Sequence, residues 1–212
     1  MRMQFSALKG RGILLAAALA LLVAGTGAWW MMASSRPENA IDVPERVCED
    51  RISGHGVTPL LPSRGEEFEE RETGFTIKSL GGSCRLEAGG EDVIVVYLYG
   101  SGRYPRKHFP GETHKATLGE ATGYLTREGE FSVYLPCTSS LKENTRGITI
   151  ETSASIVRKA ITSGGQLNKS TKGLKDLSTF TAQVIHDLAE DWYRCPGAGR
   201  LPDGPVAIHW EG

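Results

Sequence analysis

The sequence predicts an α+β fold: an N-terminal transmembrane helix, then an antiparallel β-sheet domain that is packed by a long C-terminal amphipathic helix and held by two disulfides. Three observations predict this arrangement. An uncharged, largely apolar run follows a basic N-terminus, and four cysteines lie beyond it. Apolar segments broken by turn residues fill the middle of the chain, and apolar residues at three- and four-residue steps fill its last third.

Residues 12–33 form the predicted membrane anchor, or an uncleaved signal-like segment. A helix over residues 13–33 of this run would be roughly 31 Å long, which matches the hydrocarbon core of a bilayer. Arg2, Lys9 and Arg11 precede it. The positive-inside rule therefore keeps the N-terminus in the cytoplasm and sends the rest of the chain across the plasma membrane.

Cleavage of this segment is the alternative. Thr26-Gly27-Ala28 is a small-residue site of the kind that signal peptidases use. The next residues are Trp29 and Trp30, and paired tryptophans are typical of the membrane interface rather than of a mature N-terminus. We therefore favour a retained single-pass anchor.

The chain divides into four predicted parts. Residues 1–11 are cytoplasmic, 12–33 span the membrane, 34–47 form a polar, proline-containing stalk, and 48–212 form the extracytoplasmic α+β domain. Without the three basic residues before the anchor, 21 Lys and Arg face 25 Asp and Glu, a net charge of −4. This mildly acidic balance argues against nucleic acid as a partner.

All four cysteines, Cys48, Cys84, Cys137 and Cys195, follow the anchor. An even number of cysteines in an oxidising compartment indicates two disulfides, for which three pairings exist. We favour Cys48–Cys84 and Cys137–Cys195, because each bond then closes a contiguous half of the domain. The cysteines are 36, 53 and 58 residues apart, unlike the close pairs of zinc sites.

Turn residues divide the middle of the chain into strands. Residues 84–87 and 92–99 are predicted to pair as a hairpin around Gly89-Gly90. The segment 93–99 (VIVVYLY) is apolar at every position, so we expect a central strand covered on both faces.

A second hairpin is predicted to join residues 121–126 to 130–136, with Cys137 pointing toward the core. Residues 147–154 add another strand, and 155–162 a short helix.

The last predicted element is an amphipathic helix of about six turns. Ser170 or Thr171 can cap its start, and Pro196-Gly197 ends it. Its apolar stripe consists of Leu174, Leu177, Phe180, Val184, Ile185, Leu188, Trp192 and Cys195. A Cys137–Cys195 bond would therefore pin this helix to the end of a core strand.

Known catalytic motifs are missing from the sequence. There is no nucleophile elbow, phosphate-binding loop, dinucleotide fingerprint or zinc-protease motif. His108 and His114 lie six residues apart on one loop and make half a metal site at best, and His186 with Glu190 is expected to be a helix-surface pair. We therefore expect no catalytic residue, metal or cofactor.

A glutamate-rich segment, residues 66–72, raises the question of a calcium site. Calcium loops space their carboxylates around a glycine turn, and that pattern is missing here. The segment is therefore predicted to be a solvated loop or a short helix.

One loop, residues 100–111, is locally basic and also aromatic. Basic side chains bind phosphates and carboxylates, and aromatic rings stack or insert, so the loop is a candidate contact for a lipid head group, an envelope polymer or an acidic protein. An ordinary mobile connection between strands is the alternative. The candidate residues are Arg103, Tyr104, Arg106, Lys107, His108 and Phe109.

The layout resembles the small secreted or lipid-anchored proteins of unknown function of actinobacterial cell envelopes. The shared features are an N-terminal anchor, Cys48 near the stalk, Ser83-Cys84-Arg85-Leu86 before a Gly-Gly hairpin, and a helix that ends in Cys195-Pro196-Gly197-Ala198. The chain has no lipobox cysteine, so a protein anchor would replace the lipid. The resemblance implies an envelope location and an α+β fold, and it transfers no site residue.

These observations predict a membrane-tethered extracytoplasmic domain that binds an envelope component or a partner protein without catalysis. One alternative is an envelope hydrolase or transferase with an unrecognised site. The other is a structural or assembly subunit of a membrane complex.

Overall fold

Antiparallel strands make up most of this computed structural model, which describes residues 39–75, 81–90, 92–101, 114–137, 147–161 and 167–210. Four short strands come first: β1 (Asn39–Ala40), β2 (Arg46–Val47), β3 (Ile52–Ser53) and β4 (Arg64–Gly65). The longer strands are β5 (Glu69–Thr73), β6 (Gly81–Ala88), β7 (Asp92–Ser101), β8 (His114–Leu118), β9 (Ala121–Leu125), β10 (Phe131–Pro136), β11 (Gly147–Ala154) and β12 (Ala207–His209).

Strands β5 to β12 form one sheet of eight strands within the described residues, in the order β12-β8-β9-β10-β11-β7-β6-β5. The two predicted hairpins and the predicted strand at 147–154 are confirmed. Gly89 and Gly90 have φ angles of 69° and 81°, which a glycine turn between β6 and β7 allows.

Three strands of the sheet were not predicted. Residues 69–73 form the edge strand β5 rather than the predicted loop or short helix. They pair with the backbone groups along the outer edge of β6, and charged side chains are tolerated in an edge strand. Strand β8 begins at His114, which the sequence analysis placed in a loop, and β12 pairs with β8 at the opposite edge.

The prediction that β7 is covered on both faces holds at Val95, which is buried, and is wrong at Tyr97 and Tyr99. Ile94, Val96 and Leu98 point into the core, whereas Tyr97 and Tyr99, which alternate with them, are 38% and 42% exposed. A tyrosine ring tolerates this position because its hydroxyl can stay in contact with water.

Within the described residues, two α-helices lie between β11 and β12. Helix α1 (Ser155–Lys159) is one short segment, and α2 (Lys172–Asp187) continues through a π-helical turn at Leu188–Trp192. The predicted apolar stripe is confirmed, since all eight of its residues are buried. Thr171 occupies the predicted N-cap position, but its hydroxyl donates to the carbonyl of Asn168, so no side-chain hydrogen bond caps α2.

The core lies between α2 and one face of the sheet. Helix α2 contacts β10 and β11, where Phe180 and Ile150 are fully buried. One polar contact crosses this interface, because the hydroxyl oxygens of Thr152 and Thr181 are 2.6 Å apart. Thr181 donates to the carbonyl of Leu177, so Thr152 is the donor to Thr181 and both buried hydroxyls are satisfied.

Both predicted disulfides are confirmed. Cys48–Cys84 joins the turn after β2 to strand β6, and Cys137–Cys195 joins the end of β10 to the end of the helical segment. The α+β architecture with a C-terminal helix is thus established for the described residues. Residues 12–33 and most of the stalk lie outside them. Among the helices that the structure describes, none is long and apolar enough to span a membrane.

Candidate functional site

The predicted basic loop lies outside the described residues. Strand β7 ends at Ser101 and the next described residue is His114. The anionic contact that we assigned to residues 103–109 therefore stays a prediction, and the candidate sites below come from other residues.

On the face of the central strands that points away from α2, Tyr97 and Tyr99 are exposed among side chains that are buried or half-buried, and we call this group the tyrosine face. Tyr97 and Tyr99 stack on β7 with their ring centroids 6.3 Å apart and 14° between their planes. The strand register places Glu151 opposite Tyr97 and Ser132 opposite Glu151. The tyrosine face consists of Tyr97, Tyr99, Tyr124, Ser132, Tyr134, Thr149 and Glu151.

A hydrogen-bonded carboxylate lies within the tyrosine face. Glu151 accepts a hydrogen bond of 3.2 Å from the Ser132 hydroxyl and a second one from the Tyr99 hydroxyl. Burial raises the pKa of Glu151, and these two bonds partly oppose the rise. Burial and the charge of Glu151 in turn raise the pKa of Tyr99. The network fixes Tyr99 while its ring stays accessible.

A second polar site is the acidic cluster, Glu49, Glu70 and Glu72, beside the Cys48–Cys84 bond. Cys48, Glu49 and Asp50 all have left-handed backbone angles, with φ of 57°, 55° and 58°. Each such residue costs roughly 1–2 kcal/mol, so the turn needs outside support. The disulfide supplies it, and the Glu49 amide donates to a carboxylate oxygen of Glu70 at 3.1 Å.

The acidic cluster holds a proton at neutral pH. Burial of Glu72, with hydrogen bonds and repulsion from Glu70 and Glu49, raises the pKa of Glu72 to about 8. Glu70, Glu72 and the Cys84 sulfur lie within 4.8 Å of one another. Because that sulfur is bonded to Cys48, the ligand set is smaller than the roughly six to eight oxygens that calcium takes.

Among the described residues, His114, His186 and His209 each contact different partners rather than a common centre. His186 Nδ1 is 3.9 Å from Glu190 Oε1, in an open cleft of about 510 Å³ beside α2, so the predicted helix-surface pair is confirmed. The ring of His114 packs on Trp210 with the centroids 4.3 Å apart, and His209 Nε2 is 2.9 Å from the Thr117 hydroxyl oxygen. His108 lies outside the described residues.

The hydroxyl–imidazole pair at Thr117 and His209 does not extend to a catalytic triad. Among the described residues, no carboxylate bonds to the second ring nitrogen of His209. Catalysis by such a pair requires a third group that orients the imidazole. Within the part of the chain that the structure describes, the Thr117–His209 pair therefore has no such orienting carboxylate.

Comparisons of the chain with models of protein families, with curated proteins and with solved structures found no match. Any proposal about function therefore depends on the contacts and charges of this chain's own residues.

Protein stability is expected to depend on pH through Glu72. Its pKa of about 8 in the folded protein lies above the ordinary value of 4.5, so the folded protein keeps a proton that the unfolded chain releases. This contribution is complete below about pH 4.5 and is lost as the pH rises through 8. The free energy of unfolding, measured by urea denaturation, should fall across that window, and Glu72→Gln should remove much of the fall.

Glu67→Gln is the matched control, because Glu67 is an exposed carboxylate of the same segment. It should keep the pH dependence of the parent protein. An unaltered pH dependence in Glu72→Gln would show that the proton resides elsewhere.

Proposed function

We propose that the chain is a non-catalytic binding domain, tethered to the plasma membrane by residues 12–33 and held outside the cytoplasm. Its tyrosine face binds an envelope component or a partner protein. Two disulfides support an oxidising location, because such bonds are rare in reducing compartments. The basic residues before the apolar run and the tryptophans at its far end support the tether and its orientation.

The exposure of Tyr97 and Tyr99 is the observation that carries the proposal. They are two of the three large hydrophobic side chains that the described residues expose, and they are neighbours. Exposed tyrosines on a rigid strand lose little conformational entropy on binding, and they combine apolar area with a hydrogen-bonding group. Glu151 beside them adds a half-buried carboxylate, held by the Ser132 hydroxyl, that can orient a ligand.

Position on the sheet adds to this support. Strand β7 lies between β6 and β11, so its backbone is hydrogen-bonded on both sides and the two rings stand on a fixed support. The third exposed hydrophobic residue, Ile156, lies on α1 and provides a comparison site of similar exposure, 38%.

The retained anchor predicts the mass of the mature protein. Protein extracted from membranes should contain residues 1–38, because the apolar run is kept. Intact-mass spectrometry measures this directly. A mature chain that starts at Trp29 would show cleavage and would overturn the tether.

The tyrosine face predicts a position-dependent cross-link in cells of the native host. Full-length chain carrying Tyr97→p-benzoylphenylalanine should give a discrete adduct on irradiation, identifiable by mass spectrometry, and Tyr99→Ser in the same chain should reduce its yield at least about tenfold. The matched control carries the photoreactive group at Ile156, where no such adduct is expected. Adducts of equal yield at both positions, or none at Tyr97, would contradict the proposal.

A further inference from the structure

A cleft of about 320 Å³ lies at the start of α2, on the side of the sheet opposite the tyrosine face. Its floor is apolar and comes from Leu174, Val206, Ile208 and Trp210. Leu174 and Val206 are each 2% exposed, so the floor belongs to the packed core. The volume is within the range of roughly 300–1,000 Å³ that small-molecule sites occupy.

The rim of the cleft is cationic. Lys169, Lys172 and Lys175 line it, and all three are exposed. Lys172 pairs with Asp176 at 2.6 Å, and the Lys169 ammonium lies 5.0 Å from the centroid of the Trp210 ring. Within the described residues, neither Lys169 nor Lys175 has a carboxylate partner.

This concentration of positive charge is unfavourable for the protein on its own. Lys172 and Lys175 occupy the first turn of α2, and no acidic residue is in that turn. The start of a helix carries partial positive charge, so cations there are destabilising. The chain as a whole is slightly acidic, with a formal charge of −1. Sequence choices that oppose local stability are concentrated at functional sites.

We propose that the cleft binds a single-chain amphipathic anion: a carboxylate or phosphate headgroup on an aliphatic chain. The headgroup lies among the three lysines and offsets their mutual repulsion. The first carbons of the chain lie against Val206, Ile208 and Trp210 and remove apolar surface from water. This site is distinct from the tyrosine face and does not depend on its function.

The anionic headgroup matches the lysine rim of the cleft, and the aliphatic chain matches its apolar floor. An inorganic anion would leave the apolar floor in water, and a neutral amphiphile would provide no counter-charge for Lys169 and Lys175. Both should therefore bind more weakly than the combined molecule. Lysine accepts either headgroup as a point charge, so the chemistry shared by carboxylate and phosphate defines the class.

The test uses the full chain in nanodiscs of neutral phosphatidylcholine, with the NMR signal of the Trp210 indole N–H as the reporter. Octanoate and octyl phosphate should each shift this signal in a saturable manner. Inorganic phosphate and octyl glucoside, which carry one half of the ligand each, should bind at least about tenfold more weakly. The combined variant Lys169→Gln, Lys172→Gln, Lys175→Gln should weaken octyl phosphate binding at least about tenfold, with its unfolding curve as a check on folding.

Lys115→Gln is the matched control, because Lys115 is an exposed lysine on the other face of the sheet. Its affinity should equal that of the parent chain. Equal binding of octyl glucoside, or undiminished binding in the triple variant, would overturn the proposal. Lysine-dependent binding to phosphatidylglycerol vesicles without saturable binding of octanoate or octyl phosphate would also overturn it, because the lysines would then serve a membrane surface.

Discussion

Burial of one face of the antiparallel sheet beneath α2 is the constraint on which the rest of the structure depends. Inward side chains of the strands, such as Phe131 and Ile150, and those of the helix, such as Phe180, are fully buried, and neither element could keep this apolar area away from water alone. The Cys137–Cys195 bond makes the contact covalent at the end where the helical segment stops. On the other face of the central strands, Tyr97 and Tyr99 are exposed.

Both proposed sites use this rigid core without disturbing it. Tyr97 and Tyr99 alternate along β7 with core residues, so their exposure follows from the same strand geometry that buries Leu98. The lysine cleft uses the start of α2, and its floor is the outer margin of the core at Val206. The strained turn at Cys48 is likewise held by other parts of the structure. A disulfide and hydrogen bonds keep a backbone conformation there that would otherwise relax.

The sequence alone predicts those features whose side chains repeat with the period of the element. The α2 stripe and the hairpin at Gly89-Gly90 are examples, because burial and turn geometry act on neighbouring residues. Edge strands β5 and β12 could not be predicted, since they pair through the backbone and their side chains face water. The acidic cluster could not be found either, because Glu49 reaches Glu70, 21 residues away, only through the folded turn.

Native-state hydrogen exchange tests most directly whether α2 and the sheet unfold as one cooperative unit. In the oxidised protein, amides of α2 and of β7 and β11 should open with the same free energy, because neither element persists without the other. Cys137→Ala with Cys195→Ala should lower both values together, by up to about 4 kcal/mol for a closed loop of 58 residues. Rapid exchange in α2 while the sheet keeps its protection would contradict this, because the sheet would then be stable without its helix.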